Sequence, residues 1–75
     1  MGTVSEKDDL PSGTDKDGKN NVKIGDMYVV DTKFEHDSSK MAAPGDLYIA
    51  SGTEDNNGYI NKDTLSWSLV PTGYD

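Results

Sequence analysis

The sequence predicts an all-β fold: a small sandwich or partly open barrel of four to six short strands, with an irregular N-terminal arm. Two runs, residues 25–30 and 45–50, repeat the pattern Gly-Asp-apolar-Tyr-apolar-apolar. A third run, residues 65–70, alternates large apolar residues with serine before it ends in Leu-Val. Alternation with period 2 is typical of strands that bury one face. These three runs hold nearly all the apolar residues able to form a core.

The chain is short, acidic and free of cysteine. It has 75 residues, of which 14 are acidic and 7 basic, for a net charge of −7. One domain is expected, and below roughly 70–80 residues a core rarely supplies more than about 3–5 kcal/mol. Disulfides and thiolate zinc sites are excluded without cysteine. We therefore expect oligomerisation or docking on a larger assembly to add to the stability that the small core supplies.

The composition also argues against two classes of partner. The chain has no arginine and its lysines are scattered, whereas nucleic-acid binding needs clustered positive charge. No run approaches the roughly 18 apolar residues of a membrane helix. No charged segment precedes an apolar stretch in the manner of a signal peptide. We therefore expect neither nucleic acid nor a membrane as partner.

Residues 1–21 are polar and acidic, with Val4 and Leu10 as the only large apolar residues after Met1. Such a segment buries too little surface to offset the entropy of ordering it. We expect a flexible arm or linker without regular secondary structure over residues 1–21, followed by a β module over residues 22–75.

The first strand is predicted from residue 27, directly after Gly25-Asp26. Glycine can adopt a positive φ there, and the aspartate carboxylate can accept hydrogen bonds from nearby amides, so both Gly-Asp pairs are interpreted as turns. Residues 35–43 are predicted to be a loop that ends at Pro44. His36, Ser38 and Ser39 are then surface residues of that loop.

Residues 55–58, Asp-Asn-Asn-Gly, predict a hairpin turn, with Asn57-Gly58 as the dipeptide of a type I′ turn. A return strand could start at Tyr59, and Pro71 ends the last strand. Either face of the alternating strands could form the core. We assign the aliphatic face to it, with this predicted core: Met27, Val29, Leu47, Ile49, Leu65, Trp67 and Leu69.

No arrangement of residues predicts catalysis, a cofactor or a metal. Asp15, Asp17 and Gly18 resemble part of a calcium loop, but Gly13 and Ile24 stand where its two end ligands are needed. Nucleophilic catalysis by His36 with Ser38 or Ser39 would also need a third, orienting group and an oxyanion site, and the sequence identifies neither. The tyrosines are the better candidates, because the aliphatic core assignment turns two of them outward and tyrosine is enriched at interfaces. The candidate partner-contact residues are Tyr28, Tyr48 and Tyr59, and Tyr74 could extend an aromatic face.

Residues 10–75 resemble small β modules in tailed-phage virion proteins, such as head fibres, capsid decoration proteins and tail-fibre segments. The motifs that carry the resemblance are Leu10-Pro11, the strand Gly25-Asp26-Met27-Tyr28-Val29-Val30, the strand Gly45-Asp46-Leu47-Tyr48-Ile49-Ala50-Ser51-Gly52-Thr53, and the ending Trp67-Ser68-Leu69-Val70-Pro71-Thr72-Gly73-Tyr74-Asp75. The chain departs from that pattern by Tyr74 within the ending and by the insert at residues 15–20.

The resemblance implies a non-enzymatic structural protein of a tailed-phage virion, most simply a head-fibre or capsid decoration module. Its partners would be other virion proteins, capsid or fibre subunits, and copies of itself, and its location would be the virion. The alternative is a carbohydrate- or receptor-binding module of a tail fibre that contacts a host-surface glycan. Gly-Asp before a strand also occurs in SH3-like barrels, which bind peptides or nucleic acids. A small hydrolase would need a triad or metal set that the sequence lacks.

Overall fold

The computed structural model describes residues 2–72 and confirms an all-β fold. The strands are β1 Gly2–Val4, β2 Met27–Val30, β3 Phe34–Asp37, β4 Lys40–Ala42, β5 Leu47–Ser51 and β6 Ser66–Val70. Four of them form one sheet in the order β1-β2-β5-β6, two form a second sheet, β3-β4, and the sheets do not close into a barrel. Two short 3₁₀ turns lie at Lys7–Asp9 and Lys62–Thr64.

The two Gly-Asp pairs form the same turn, as the sequence predicts. Gly25 and Gly45 have φ values of 87° and 91°, a region that favours glycine. The amide of Asp26 donates to the Lys23 carbonyl, and the Asp26 carboxylate accepts from the Lys23 amide at 3.0 Å. Asp46 makes the corresponding pair of bonds with Ala43, the second at 2.9 Å. In each turn, the amide of the aspartate that directly precedes the strand is therefore hydrogen-bonded within the turn.

The two repeats pair with each other around a local two-fold axis. In the antiparallel β2–β5 ladder, Tyr28 lies directly opposite Tyr48. The Ala50 amide donates to the Asp26 carbonyl, and the Val30 amide donates to the Asp46 carbonyl, both at 2.9 Å. Each repeat thus ends against the Gly-Asp turn of the other.

The core lies on the tyrosine face of the main sheet, so the assignment of the aliphatic face to the core is wrong. Tyr48 has no exposed area, and Val30 and Ala50, on the same face, are 1% and 2% exposed. Met27, Val29, Leu47 and Ile49 are only half-buried and lie outside both core clusters. Leu65, Trp67 and Leu69 do pack against the core, although they too are half-buried.

The tyrosine face forms the core because segments that the sequence predicts to be an arm and a loop cover it. Val4 and Ala42 join Val30 and Tyr48 in one buried cluster. Val22 and Ile60 form a second cluster with Ala50. A tyrosine ring buries more apolar area than an aliphatic side chain, provided its hydroxyl finds a partner. The Tyr48 hydroxyl has one, since it lies 2.7 Å from Nδ1 of His36.

The expectation that residues 1–21 lack regular secondary structure is also wrong. β1 pairs in parallel with β2, with Val4 beside Val30. Farther along, the carbonyl of Pro11 accepts a 3.1 Å hydrogen bond from Nε1 of Trp67. Two apolar side chains are enough to anchor this segment because the sheet edge supplies backbone partners, which composition does not reveal.

Residues 34–42 form the β3–β4 hairpin, where the sequence predicts a loop. The Asp37 carboxylate accepts from the amide and the hydroxyl of Ser39 and so closes the turn. Phe34 stacks on Tyr48, with ring centroids 6.1 Å apart. His36, predicted to be a surface loop residue, keeps only 17% of its side chain exposed because it lies against the same ring. This hairpin is the lid of the core.

Candidate interaction surface

The main sheet has an outer face that carries apolar residues and no charge. Strand residues alternate between the two faces, so the residues between the core positions point outward. On this outer face the central side chains are aliphatic and half-buried, while its threonine and serines are exposed. The outer face consists of Thr3, Met27, Val29, Leu47, Ile49, Ser51, Ser66, Ser68 and Val70.

The absence of charge is unusual for this chain, in which 28% of residues are Asp, Glu, Lys or Arg. The spacing of strands and residues gives the outer face an extent of about 300 Å² in plan. Apolar patches of a few hundred Å² on a monomer often mark interaction sites. The outer face therefore has the composition of a docking surface.

The free edge of β6 adjoins this outer face. Along a strand, the backbone N–H and C=O groups of successive residues point to opposite neighbouring strands. The Ala50 amide points to β2, so the backbone groups of Ile49 point to β6. The backbone groups of Ser68, which pairs with Ile49, therefore point back to β5. The N–H and C=O groups of Trp67 and Leu69 then point away from the sheet. No hydrogen bond to them occurs within residues 2–72. β6 is thus an uncharged five-residue edge strand, the kind that most proteins cover or charge.

The three tyrosines predicted to contact a partner occupy different environments. Tyr48 is in the core, so its predicted outward orientation is wrong and its ring is not available to a partner. Tyr28 is half-buried on the inner face, with its ring edge-on to Trp67 at 5.5 Å. Tyr59 is half-buried under the Lys23 ammonium, 5.1 Å from its ring centroid. Tyr74 lies outside the described residues. Contact of Tyr28 or Tyr59 with a partner stays a prediction.

Two loops with the same hydrogen-bond pattern lie side by side, and the Asn20 side chain of the first is hydrogen-bonded to Asp55 of the second. In the first, the Asp15 amide donates to the Lys19 carbonyl, and the Asp15 carboxylate accepts from the amides of Asp17 and Lys19. In the second, Asp55 makes the same bonds with Asn57 and Tyr59. These bonds use Asp15 Oδ1 to close its own loop, which agrees with the turn interpretation of residues 15–20.

The turn at Asp55 is real, but it is not type I′. Every non-glycine residue described has a negative φ, whereas type I′ needs a positive φ at both central positions. Gly58 alone takes a positive φ, 85°, and its amide donates to the Asp55 carbonyl. This is a type I turn followed by a glycine bulge, and Gly18 repeats it with a φ of 79°.

A shallow groove of about 660 Å³ runs between these two loops. The Asn20 amide crosses it to Oδ2 of Asp55 at 2.9 Å. That bond, with the Asn57 amide next, lowers the pKa of Asp55. No group of three or more metal-ligating side chains occurs among the described residues. The lining provides amides, carboxylates, a lysine and one aromatic ring: Asp15, Gly18, Lys19, Asn20, Asn21, Asp55, Asn57 and Tyr59.

His36 belongs to a structural hydrogen-bond chain. Its Nδ1 bonds the Tyr48 hydroxyl and its Nε2 lies 4.0 Å from the Asp37 carboxylate. Burial raises the pKa of Tyr48, and the charges of Asp37 and Asp46 raise it further. The Ser39 amide and hydroxyl lower the pKa of Asp37. The Ser39 hydroxyl is hydrogen-bonded to Asp37 and not to the imidazole. The bond between His36 and the Tyr48 hydroxyl holds the lid hairpin on the core.

Sequence reasoning missed the outer face, although one signal for it was present. β2 and β5 are apolar in both phases of their alternation, which is typical of strands covered on both faces. One face is covered by the chain's own segments, and the other is the outer face. No helix within residues 2–72 is long and apolar enough to cross a membrane. Comparisons of the chain with models of protein families, with curated proteins and with solved structures find no match.

Proposed function

We propose that the chain is a non-enzymatic structural module of a tailed-phage particle, of the head-fibre or capsid-decoration type, that docks on other particle proteins through its outer face. The observation that carries the docking is the charge-free apolar outer face on a chain of net charge −7. The phage setting rests on the motifs of the two Gly-Asp strands and the Trp-containing ending.

The energetics favour docking over independence. The two buried clusters hold seven residues in all, and a core of this size supplies only about 3–5 kcal/mol. Burying apolar surface contributes about 25 cal/mol per Å². Covering the outer face therefore adds stability comparable with that of the core.

The test is sedimentation of the purified chain with particles of its own phage, comparing Thr3→Lys with Thr32→Lys. Both threonines are exposed, so neither change removes a buried contact. Thr3 lies on the outer face, whereas Thr32 lies in the connection between β2 and β3. We expect the wild-type chain and Thr32→Lys to sediment with the particle and Thr3→Lys to lose at least tenfold in affinity. Equal binding by both variants, or no binding by the wild type, would refute the proposal.

A second function is favoured by one feature, the groove at Tyr59. Planar amide and carboxylate groups beside an aromatic ring are suited to hydrogen-bonding and stacking on a sugar. The alternative is therefore a carbohydrate- or receptor-binding module of a tail fibre. A glycan array discriminates between the two: specific binding that is lost in Tyr59→Ala but kept in Thr3→Lys would select the groove.

A further inference from the structure

We propose that two copies of this chain pair edge to edge through β6, antiparallel about a two-fold axis at Ser68, to form one continuous eight-stranded sheet. This inference goes beyond docking on a particle, because the partner is a second copy and the contact is the sheet edge. It starts from the backbone groups of Trp67 and Leu69, which make no hydrogen bond within residues 2–72 and form a row of two donors and two acceptors.

The register of the pairing follows from which groups are free. Placing Trp67 opposite Leu69 of the second copy satisfies all four free groups on each chain, through four hydrogen bonds. A shift that centres the axis on Leu69 brings Pro71 opposite Trp67, and proline has no N–H to donate. A shift that centres it on Trp67 brings in Leu65, whose amide is already bonded to the Lys62 carbonyl. Only the register centred on Ser68 leaves no group unpaired.

Side chains agree with this register. Trp67 and Leu69 point to the inner face and are half-buried in the single chain. Cross-strand aromatic–aliphatic pairs stabilise a sheet by roughly 0.2–1 kcal/mol each. The two-fold axis makes this pair twice, and it covers part of the exposed area of both side chains. On the outer face, Ser68 meets its own copy, and two serines fit together without steric or electrostatic conflict.

Charge selects this edge for a second copy. Two chains of net charge −7 repel each other, so an uncharged surface lowers the electrostatic cost of their close approach. Residues 64–74 are the longest stretch without Asp, Glu, Lys or Arg. β1, the other edge of the sheet, has three residues and leads into the acidic turn at Lys7–Asp9. The dimer also extends the charge-free outer face across both chains.

The contact area sets the expected affinity. An edge of five residues buries well below the roughly 800 Å² per partner of a stable complex. We therefore expect a dimer that dissociates in the micromolar range or above in free solution and strengthens where copies are held together. A covalent trap is the appropriate measurement, and the chain has no cysteine to interfere.

The test is disulfide formation by Ser68→Cys under mild oxidation, with Ser66→Cys as the matched control. In the proposed register, position 68 faces itself in a non-hydrogen-bonded pair, where Cα atoms lie about 4.5 Å apart, within the 4.4–6.8 Å that disulfides span. Position 66 is four residues out of register with its own copy, about 14 Å away. Both serines are exposed and lie on the outer face of the same strand.

We expect Ser68→Cys to form disulfide dimers at least tenfold faster than Ser66→Cys. Equal rates, or a faster Ser66→Cys, would overturn the proposal. As a second measurement, made without any introduced cysteine, Ser68→Lys places like charges on the axis and should lower the dimer fraction in sedimentation. Ser51→Lys, one strand farther from the edge, should not. These results are independent of particle binding by Thr3→Lys, so either proposal can fail alone.

Discussion

The hydroxyl of Tyr48, at the centre of the main sheet, lies 2.7 Å from Nδ1 of His36 on the lid hairpin. Tyr48 has no exposed area and is the largest fully buried side chain, so this bond gives its buried hydroxyl a hydrogen-bond partner. It also joins the two sheets, since Tyr48 belongs to β5 and His36 to β3.

We expect Tyr48→Phe to lower the free energy of unfolding by about 1–2 kcal/mol, because it removes a buried hydrogen bond and leaves the imidazole nitrogen without its partner. Urea unfolding measures the change. Tyr59→Phe is the control, since its hydroxyl makes no hydrogen bond with any described residue, and it should shift stability by less than about 0.5 kcal/mol. Equal midpoints for the two variants would contradict the role given to the bond.

The same tyrosine should make the protein sensitive to alkali. Burial raises the pKa of Tyr48 above its ordinary value of 10.0. The unfolded chain therefore ionises first, and stability is lost as pH rises above that value. In Tyr48→Phe the loss of stability between pH 9 and pH 11 should be smaller than in the wild type. An unchanged alkaline slope would show that Tyr48 ionises as freely in the folded protein.

The N-terminal strand should be part of the folding unit. Val4 is 1% exposed, and removing two buried methyl groups costs about 1.5–3 kcal/mol once the cavity left behind is included. We expect Val4→Ala to lose about that much stability and Thr3→Ala, on the exposed side of the same strand, to lose far less. Amide exchange gives a second readout, because the Asp31 amide donates to the Val4 carbonyl at 3.0 Å and should be protected. Rapid exchange of this amide would contradict the prediction and favour a flexible N-terminal arm.

Acid should weaken the loop pair through Asp55. Hydrogen bonds from Asn20 and from backbone amides, Asn57 first, hold the pKa of Asp55 below its ordinary value of 3.8. The stability it contributes is therefore present above that value and lost as pH falls through the lowered pKa. Asp55→Asn should flatten the acid limb of the stability–pH curve. Asp8→Asn, which changes an exposed carboxylate in the first 3₁₀ turn, is the control and should have a smaller effect on the limb.

Glycine substitutions should separate backbone strain from steric conflict. A Cβ at Gly25 would meet nothing within 4 Å, so Gly25→Ala costs only the strain of its φ of 87°, about 1–2 kcal/mol. At Gly52 a Cβ would lie 2.5 Å from Cγ2 of Ile60 and 2.8 Å from the Thr64 carbonyl oxygen. We expect Gly52→Ala to cost more than twice as much, or to prevent folding. Thermal melts of both variants measure the difference, and similar melting temperatures would contradict it.

Local features of this fold were predictable and long-range ones were not. The Gly-Asp turns and the Asp55 turn follow from glycine φ and from carboxylates that bond nearby amides, which short motifs encode. The choice of core face depends on what covers it, and the cover comes from distant segments. Val4 and Ala42 are isolated apolar residues in polar surroundings, so their sequence context gives no sign that they complete the core.

The candidate site shows the same limit. The tyrosine pattern does not reveal which strand face forms the core. The tyrosine rings lie on the core face, where His36 is hydrogen-bonded to Tyr48 and Trp67 packs on Tyr28. The aliphatic side chains were left on the outer face. An aliphatic stripe and a tyrosine stripe are equally compatible with period 2, so only the three-dimensional cover distinguishes them.

The pattern shared by the two Gly-Asp repeats has a consequence for how the chain folds. β2 pairs with β5 inside one molecule, yet each strand would find a similar partner in a neighbouring molecule. Chain connection favours the internal pairing, because a short linker supplies an effective concentration on the order of millimolar. Dilute refolding should therefore yield monomers, and concentrated refolding should yield strand-swapped species that are kinetically trapped.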